Sequence, residues 1–158
     1  MSLLKEAISA AFADEPFMAN PARVETCIES EYLYVTRFFQ GRRWSEVTVR
    51  TLRKKYRGPA GDCLGFMSDE AFCAFVPAFM FIHLEHYGRS DAAMAAVNAF
   101  LLARDPQVRR IQRSREALLT LAQRRAVVAF LEHVDTHHAK DLPAYPVRAS
   151  LDYWKARV

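Results

Sequence analysis

The sequence predicts an all-α fold, an irregular bundle of five to seven helices around a kinked, apolar central helix at about 68–88. Three observations predict it. Apolar residues recur at helical spacing along most of the chain. Capping residues, glycines and prolines punctuate those stripes at their ends. No run of alternating β-branched residues bounded by turns occurs. At 158 residues, 51% apolar and 25% charged, the chain suits one domain over 1–158, with 139–158 a packed-back or less ordered tail.

The elements follow in order. Ser2 caps a first helix carrying Leu4, Ile8 and Ala11 on one face, and Asp14-Glu15-Pro16 ends it, because the residue before proline avoids the α region. Asn20-Pro21 offers a cap followed by proline at the first helical position, and Thr26 and Glu29 have capping-box spacing, so the next helix starts at one or the other. Its stripe is Ile28, Tyr32, Val35 and Phe39, closed by Gly41. Trp44-Ser45-Glu46 makes a turn. A short helix over about 48–56 then turns Val49, Leu52 and Tyr56 inward. Gly58-Pro59-Ala60-Gly61 is a loop.

Ser68-Asp69-Glu70 opens the central helix with a cap and two acids at the positive end of its dipole. This helix is apolar nearly all round and so is expected to be buried on several sides. Pro77 removes one backbone hydrogen bond and is expected to kink it. Gly88 ends it. Ser90-Asp91 starts an alanine-rich helix to about 102, and Asp105-Pro106 starts another with Val108 and Ile111 facing inward. Thr120 and Gln123 form a capping box before the long helix of Val127, Phe130, Leu131 and Val134. A terminal helix is expected over 150–158.

Several function classes find no support. The start, Met1-Ser2-Leu3-Leu4-Lys5-Glu6, lacks the parts of a signal peptide, and the apolar run Ala71–Leu84 is shorter than the roughly 20 residues of a membrane span. A cytoplasmic protein without membrane partners is therefore expected. Cys27, Cys63 and Cys73 form no CxxC and read as reduced thiols, Cys27 and Cys73 packed on helices. No serine sits in GxSxG, and the loop at 58–61 is not a phosphate cradle.

Histidines supply the chain's metal-like pattern. His83 with His86 and His133 with His137 each fall on one helical face, as paired zinc or iron ligands do. The HExxH and ExxH orders are missing, and His83 lies on an apolar stripe where a hydrogen-bonded core histidine is the ordinary reading. No metal, cofactor or enzymatic activity is expected.

Two basic clusters remain, Arg50, Arg53, Lys54, Lys55 and Arg57, then Arg109, Arg110, Arg113 and Arg115. The net charge of +4 permits an acidic partner, whether protein or nucleic acid. Trp44, Arg50, Arg53, Lys54, Arg57, Arg109, Arg110 and Arg113 are the candidate partner-binding residues, with Tyr145, Tyr153 and Trp154 either anchoring a partner or packing back.

The order Phe39-x-Gly-Arg-x-Trp44-Ser-Glu-Val, Phe66-Met-Ser-x-Glu-Ala-Phe72, Pro77-Ala-Phe79 and Leu119-Thr120-x-x-Gln123, with Ile8-x-x-Ala11-Phe12 ahead of it, resembles a bacterial family of small helical domains of unknown function. The likeness spans roughly 6–134 and rests on apolar and aromatic positions, so it speaks to a shared core. Proteins of this kind are similar to immunity proteins encoded beside secreted toxins. The resemblance implies a non-catalytic module that binds and blocks a cognate toxin or effector. A helical regulator that binds nucleic acid through the basic clusters is the alternative.

Overall fold

Eight α-helices and four short 3-10 turns form in the computed structural model, which describes residues 2–25, 28–143 and 145–158. The fold is all-α. Among the described residues the nearest approach to a strand is one isolated bridge between Ala22 and Met67. Eight helices exceed the five to seven expected, because short amphipathic segments also close into helices once their apolar faces are packed. No helix among the described residues is long and apolar enough to cross a membrane. The chain divides into two compact units, 13–96 and 1–12 with 97–158. Each has its own interior.

In the unit 13–96, α2 (Glu29–Phe39), α3 (Val49–Lys55) and α4 (Asp69–His86) surround an aromatic cluster. Phe39 lies at its centre, its ring 4.9 Å from Phe75, 5.8 Å from Tyr56 and 6.5 Å from Phe79. Ser68 caps α4 by accepting from the Ala71 N–H at 3.2 Å. The helix continues through Pro77 to His86 and buries Phe72, Phe75, Val76, Phe79, Met80, Ile82 and His83. Each phenylalanine so buried contributes roughly 1.5–3 kcal/mol. α4 packs against the 3-10 turns 44–46 and 91–94. Gly41 and Gly88 both have positive φ, +74° and +71°, and so end α2 and α4 as their sequence positions predict.

The start of α2 departs from expectation. Asn20-Pro21 opens no helix: the Asn20 side-chain oxygen accepts from the Ala22 N–H at 3.0 Å and from the Thr36 hydroxyl at 3.1 Å. Pro21 stays extended, because its carbonyl accepts from Ser68 while Arg23 N–H donates to Phe66. Arg23 also pairs with Asp69. The helix begins at Glu29, where the Glu31 carboxylate accepts from the Ile28 N–H at 3.2 Å. Ile28 is 65% exposed, so it stands off the buried stripe of Val35 and Phe39. The capping position proposed for Thr26, and Cys27, lie outside the described residues.

The alanine-rich segment is also reshaped. Asp91–Met94 is a 3-10 turn, and α5 runs only over Ala95–Phe100. The small Ala92, Ala93, Ala95 and Ala96 are buried, and the Ala93 carbonyl is taken by His83.

In the other unit, α1 (Leu3–Ala11) and α8 (Val147–Lys155) pack on α7 (Leu121–His137). Ile8, Phe130, Leu131, Val134 and Leu151 are at most 1% exposed. α6 (Pro106–Leu118) starts as the sequence predicts: the Asp105 carboxylate accepts from Gln107 and Val108 at 2.8 and 3.0 Å. Val108 nevertheless points outward, 47% exposed. α7 carries the capping box at Thr120 and Gln123. The terminal helix starts at Val147 instead of Ser150. The buried Ser150 hydroxyl donates to the Pro146 carbonyl at 2.7 Å and accepts from the Leu102 N–H at 2.9 Å, so it holds a loop and caps nothing. Trp154 packs back with it, its indole N–H donating to the Phe100 carbonyl at 3.0 Å.

Candidate partner-binding groove

Thr48 fixes the start of α3, its hydroxyl accepting from the Thr51 N–H at 3.1 Å while the Thr51 hydroxyl accepts from the Thr48 N–H at 2.9 Å. With Val49 and Leu52 buried, the spacing i, i+3, i+4 puts Arg50, Arg53 and Lys54 on the outward face. Beside them the last turn of α4 brings up His86. Thr48, Val49, Arg50, Arg53, Lys54 and His86 line a shallow, open groove of about 500 Å³. Arg50 and Lys54 enter no ion pair among the described residues. The Arg53 guanidinium donates to the Arg89 carbonyl at 3.1 Å.

A second, more enclosed pocket of about 200 Å³ shares Thr48, Val49 and His86 with the groove. Its walls are mostly apolar: Trp44, Val47, Ala78, Phe81 and Ile82, with Glu85 as its carboxylate. Trp44 is 7% exposed and its ring lies 5.3 Å from Phe81. Its indole N–H is buried and has no acceptor among the described residues. The cationic face was legible from spacing alone. The contributions of His86 and Phe81 were not, because they arrive from a helix distant in sequence.

The remaining candidates are placed elsewhere. Arg57 is exposed and does not line the groove. Arg109 is held against its own unit, its guanidinium 4.4 Å from the Tyr153 ring centroid and 3.4 Å from the Gln112 side-chain oxygen. Arg157 covers the same ring at 3.3 Å, and Glu116 accepts from both the Tyr153 hydroxyl, at 2.6 Å, and Arg157, at 2.7 Å. Arg110 and Arg113 are exposed, whereas Arg115 is buried.

The histidines do not act as one set. His83 is fully buried and donates from Nδ1 to the Ala93 carbonyl at 2.8 Å, a carbonyl being able only to accept. His86 faces the groove, 3.8 Å from Glu85. His133 and His137 stack with ring centroids 4.2 Å apart, and His138 lies 5.6 Å from His133. Burial, then the neighbouring imidazoles, hold the pKa of His133 below its ordinary value; burial and His137 do the same to His138. Among the described residues no group of three or more histidine, cysteine or carboxylate side chains is arranged to hold a metal ion. The Cys63 thiol is fully buried, which pushes its pKa far up, while Cys73 on α4 is only half-buried. Burial thus favours the neutral thiol at Cys63.

The family of unknown function DUF6714 matches residues 28–158. The chain belongs to this family. The matched span takes in the groove and reaches through α8, whereas α1 lies ahead of it. No curated protein and no solved structure matches the chain.

Proposed function

We propose that the chain is a non-catalytic protein-binding module of the immunity type, which binds a cognate toxin or effector in the bacterial cytoplasm and blocks it. The observation that carries the binding reading is the exposed set Arg50, Arg53 and Lys54 around a groove that opens beside an apolar pocket. Interfaces combine an apolar centre with a polar rim and are enriched in arginine and aromatic residues. The step from partner to toxin rests on the resemblance to immunity proteins. The mechanism is occlusion: basic side chains cover an acidic surface or cleft of the partner.

The nucleic-acid reading is the weaker one at this site. Single-stranded nucleic acid stacks on exposed aromatic faces, but Trp44 and Tyr56, which flank the cluster, are each only 7% exposed. The test is to capture the partner from native lysate by affinity and then to express it alone and together with this chain. Toxicity relieved by co-expression supports the immunity reading; a partner harmless by itself, or one still toxic in the presence of the chain, contradicts it.

A further inference from the structure

The groove on α3 and the pocket at Trp44 share residues, and their chemistries differ in a way that specifies an occupant. Resting on the protein-binding reading, we propose that they receive a short acidic segment of the partner, one bulky apolar side chain seated beside Trp44 and the following carboxylates laid along Arg50, Arg53 and Lys54.

Size gives the first argument. The Trp44 pocket, about 200 Å³, falls below the roughly 300–1,000 Å³ of sites that enclose a whole small molecule. It is of the order of a single side chain, the form in which interface anchors are buried. Charge gives the second. Glu85 lines the small pocket and not the groove, so it repels a carboxylate from the pocket itself. The cations line the groove, and Arg50 and Lys54 have no carboxylate partner among the described residues. An acidic segment therefore has one register, apolar end toward α4 and acidic end over α3. The third is the unpartnered indole N–H of Trp44, a donor in a 7% exposed side chain on the pocket wall. A main-chain carbonyl of the anchor residue is the acceptor that it lacks. Because the N–H is shielded in the free protein, seating the anchor shifts the ring, and Trp44 reports on occupancy.

The chain holds two tryptophans, so a 15N-labelled sample of the full chain shows two indole N–H signals, assigned with Trp44→Phe. The probe is a synthetic peptide of aspartates and glutamates around one phenylalanine. The expected result is that the Trp44 signal moves on titration while that of Trp154 stays. Alanine in place of the phenylalanine abolishes the shift. Arg50→Glu with Lys54→Glu weakens binding by about tenfold or more. The exposed pair Arg110→Glu with Arg113→Glu, an equal charge change in the other unit, leaves it unchanged. Thermal melts matching wild type show that both double variants fold.

The proposal is overturned if the Trp44 signal does not move, if a lysine-rich peptide with the same phenylalanine binds equally, or if a single-stranded oligonucleotide moves that signal and the peptide does not. A native partner captured equally well by wild type and by the Arg50→Glu, Lys54→Glu variant removes this groove as the site and leaves the protein-binding reading standing. Capture of no partner by wild type removes both.

Discussion

Three imidazoles crowd the end of α7, and the protonation of two of them, His133 and His138, is linked to folding. In the folded chain His133 and His138 sit below the ordinary histidine value, first through burial and then through neighbouring imidazoles, with Asp141 opposing the shift at His138. Well above pH 6.5 His133 and His138 are neutral in both the folded and the unfolded chain, and their low folded values cost nothing. As pH falls below that value the unfolded chain takes up protons first, so stability drops. Thermal melts from about pH 7 down to about pH 5.5 should show a falling midpoint, and His137→Gln, which removes one source of repulsion, should flatten the slope. An identical slope in the two proteins would deny the coupling. His83 belongs to a different kind of residue. Its spacing with His86 suits a ligand pair, yet it turns into the interior and ties α4 to the 91–94 turn. A spacing rule places two side chains on one helical face, but it does not say what the face will meet.

At the scale of elements, α8 turns an expected tail into part of a core. Val147, Leu151 and Trp154 fall on one face and are 3%, 1% and 5% exposed. Leu151→Ala should therefore cost about 2–5 kcal/mol, read as an earlier midpoint in urea unfolding. A loss below about 0.5 kcal/mol would place α8 among surface elements. The helix starts that were legible are those whose cap bonds its own helix: Ser2, Ser68, Asp105 and Thr120. Those misread are the ones whose polar side chain found a partner elsewhere. Asn20 holds Ala22 and Thr36, and Ser150 holds Pro146 and Leu102. A local hydrogen bond is the same signal in both cases, and tertiary packing decides which is made. Gln112 shows the same limit. It bonds the carbonyls of Ala99 and Leu101 and the N–H of Ala103, a staple invisible without the fold. The candidate groove was half legible for a related reason: the cations lie within one short helix, whereas the pocket joins Trp44 to Phe81 on another element.

Across the whole molecule, two interiors share one chain. The aromatic cluster around Phe39, Phe75 and Phe79 holds the unit that carries the groove. Phe79 is fully buried, and an ionised carboxylate there would lack any route to water. Phe79→Asp should abolish soluble expression; a soluble variant melting like wild type would show that the interior lies elsewhere. The function proposed for the surface of this all-α chain is to present the cations of α3 to an acidic protein partner. The measurement that tests it most directly is affinity capture from native lysate at moderate salt, read by mass spectrometry, with wild type and the Arg50→Glu, Lys54→Glu variant side by side. One stoichiometric protein is expected with wild type and its loss from the variant, while the two melt alike. Recovery of nuclease-sensitive nucleic acid in place of a protein, or of the same protein at equal yield from both baits, would contradict it.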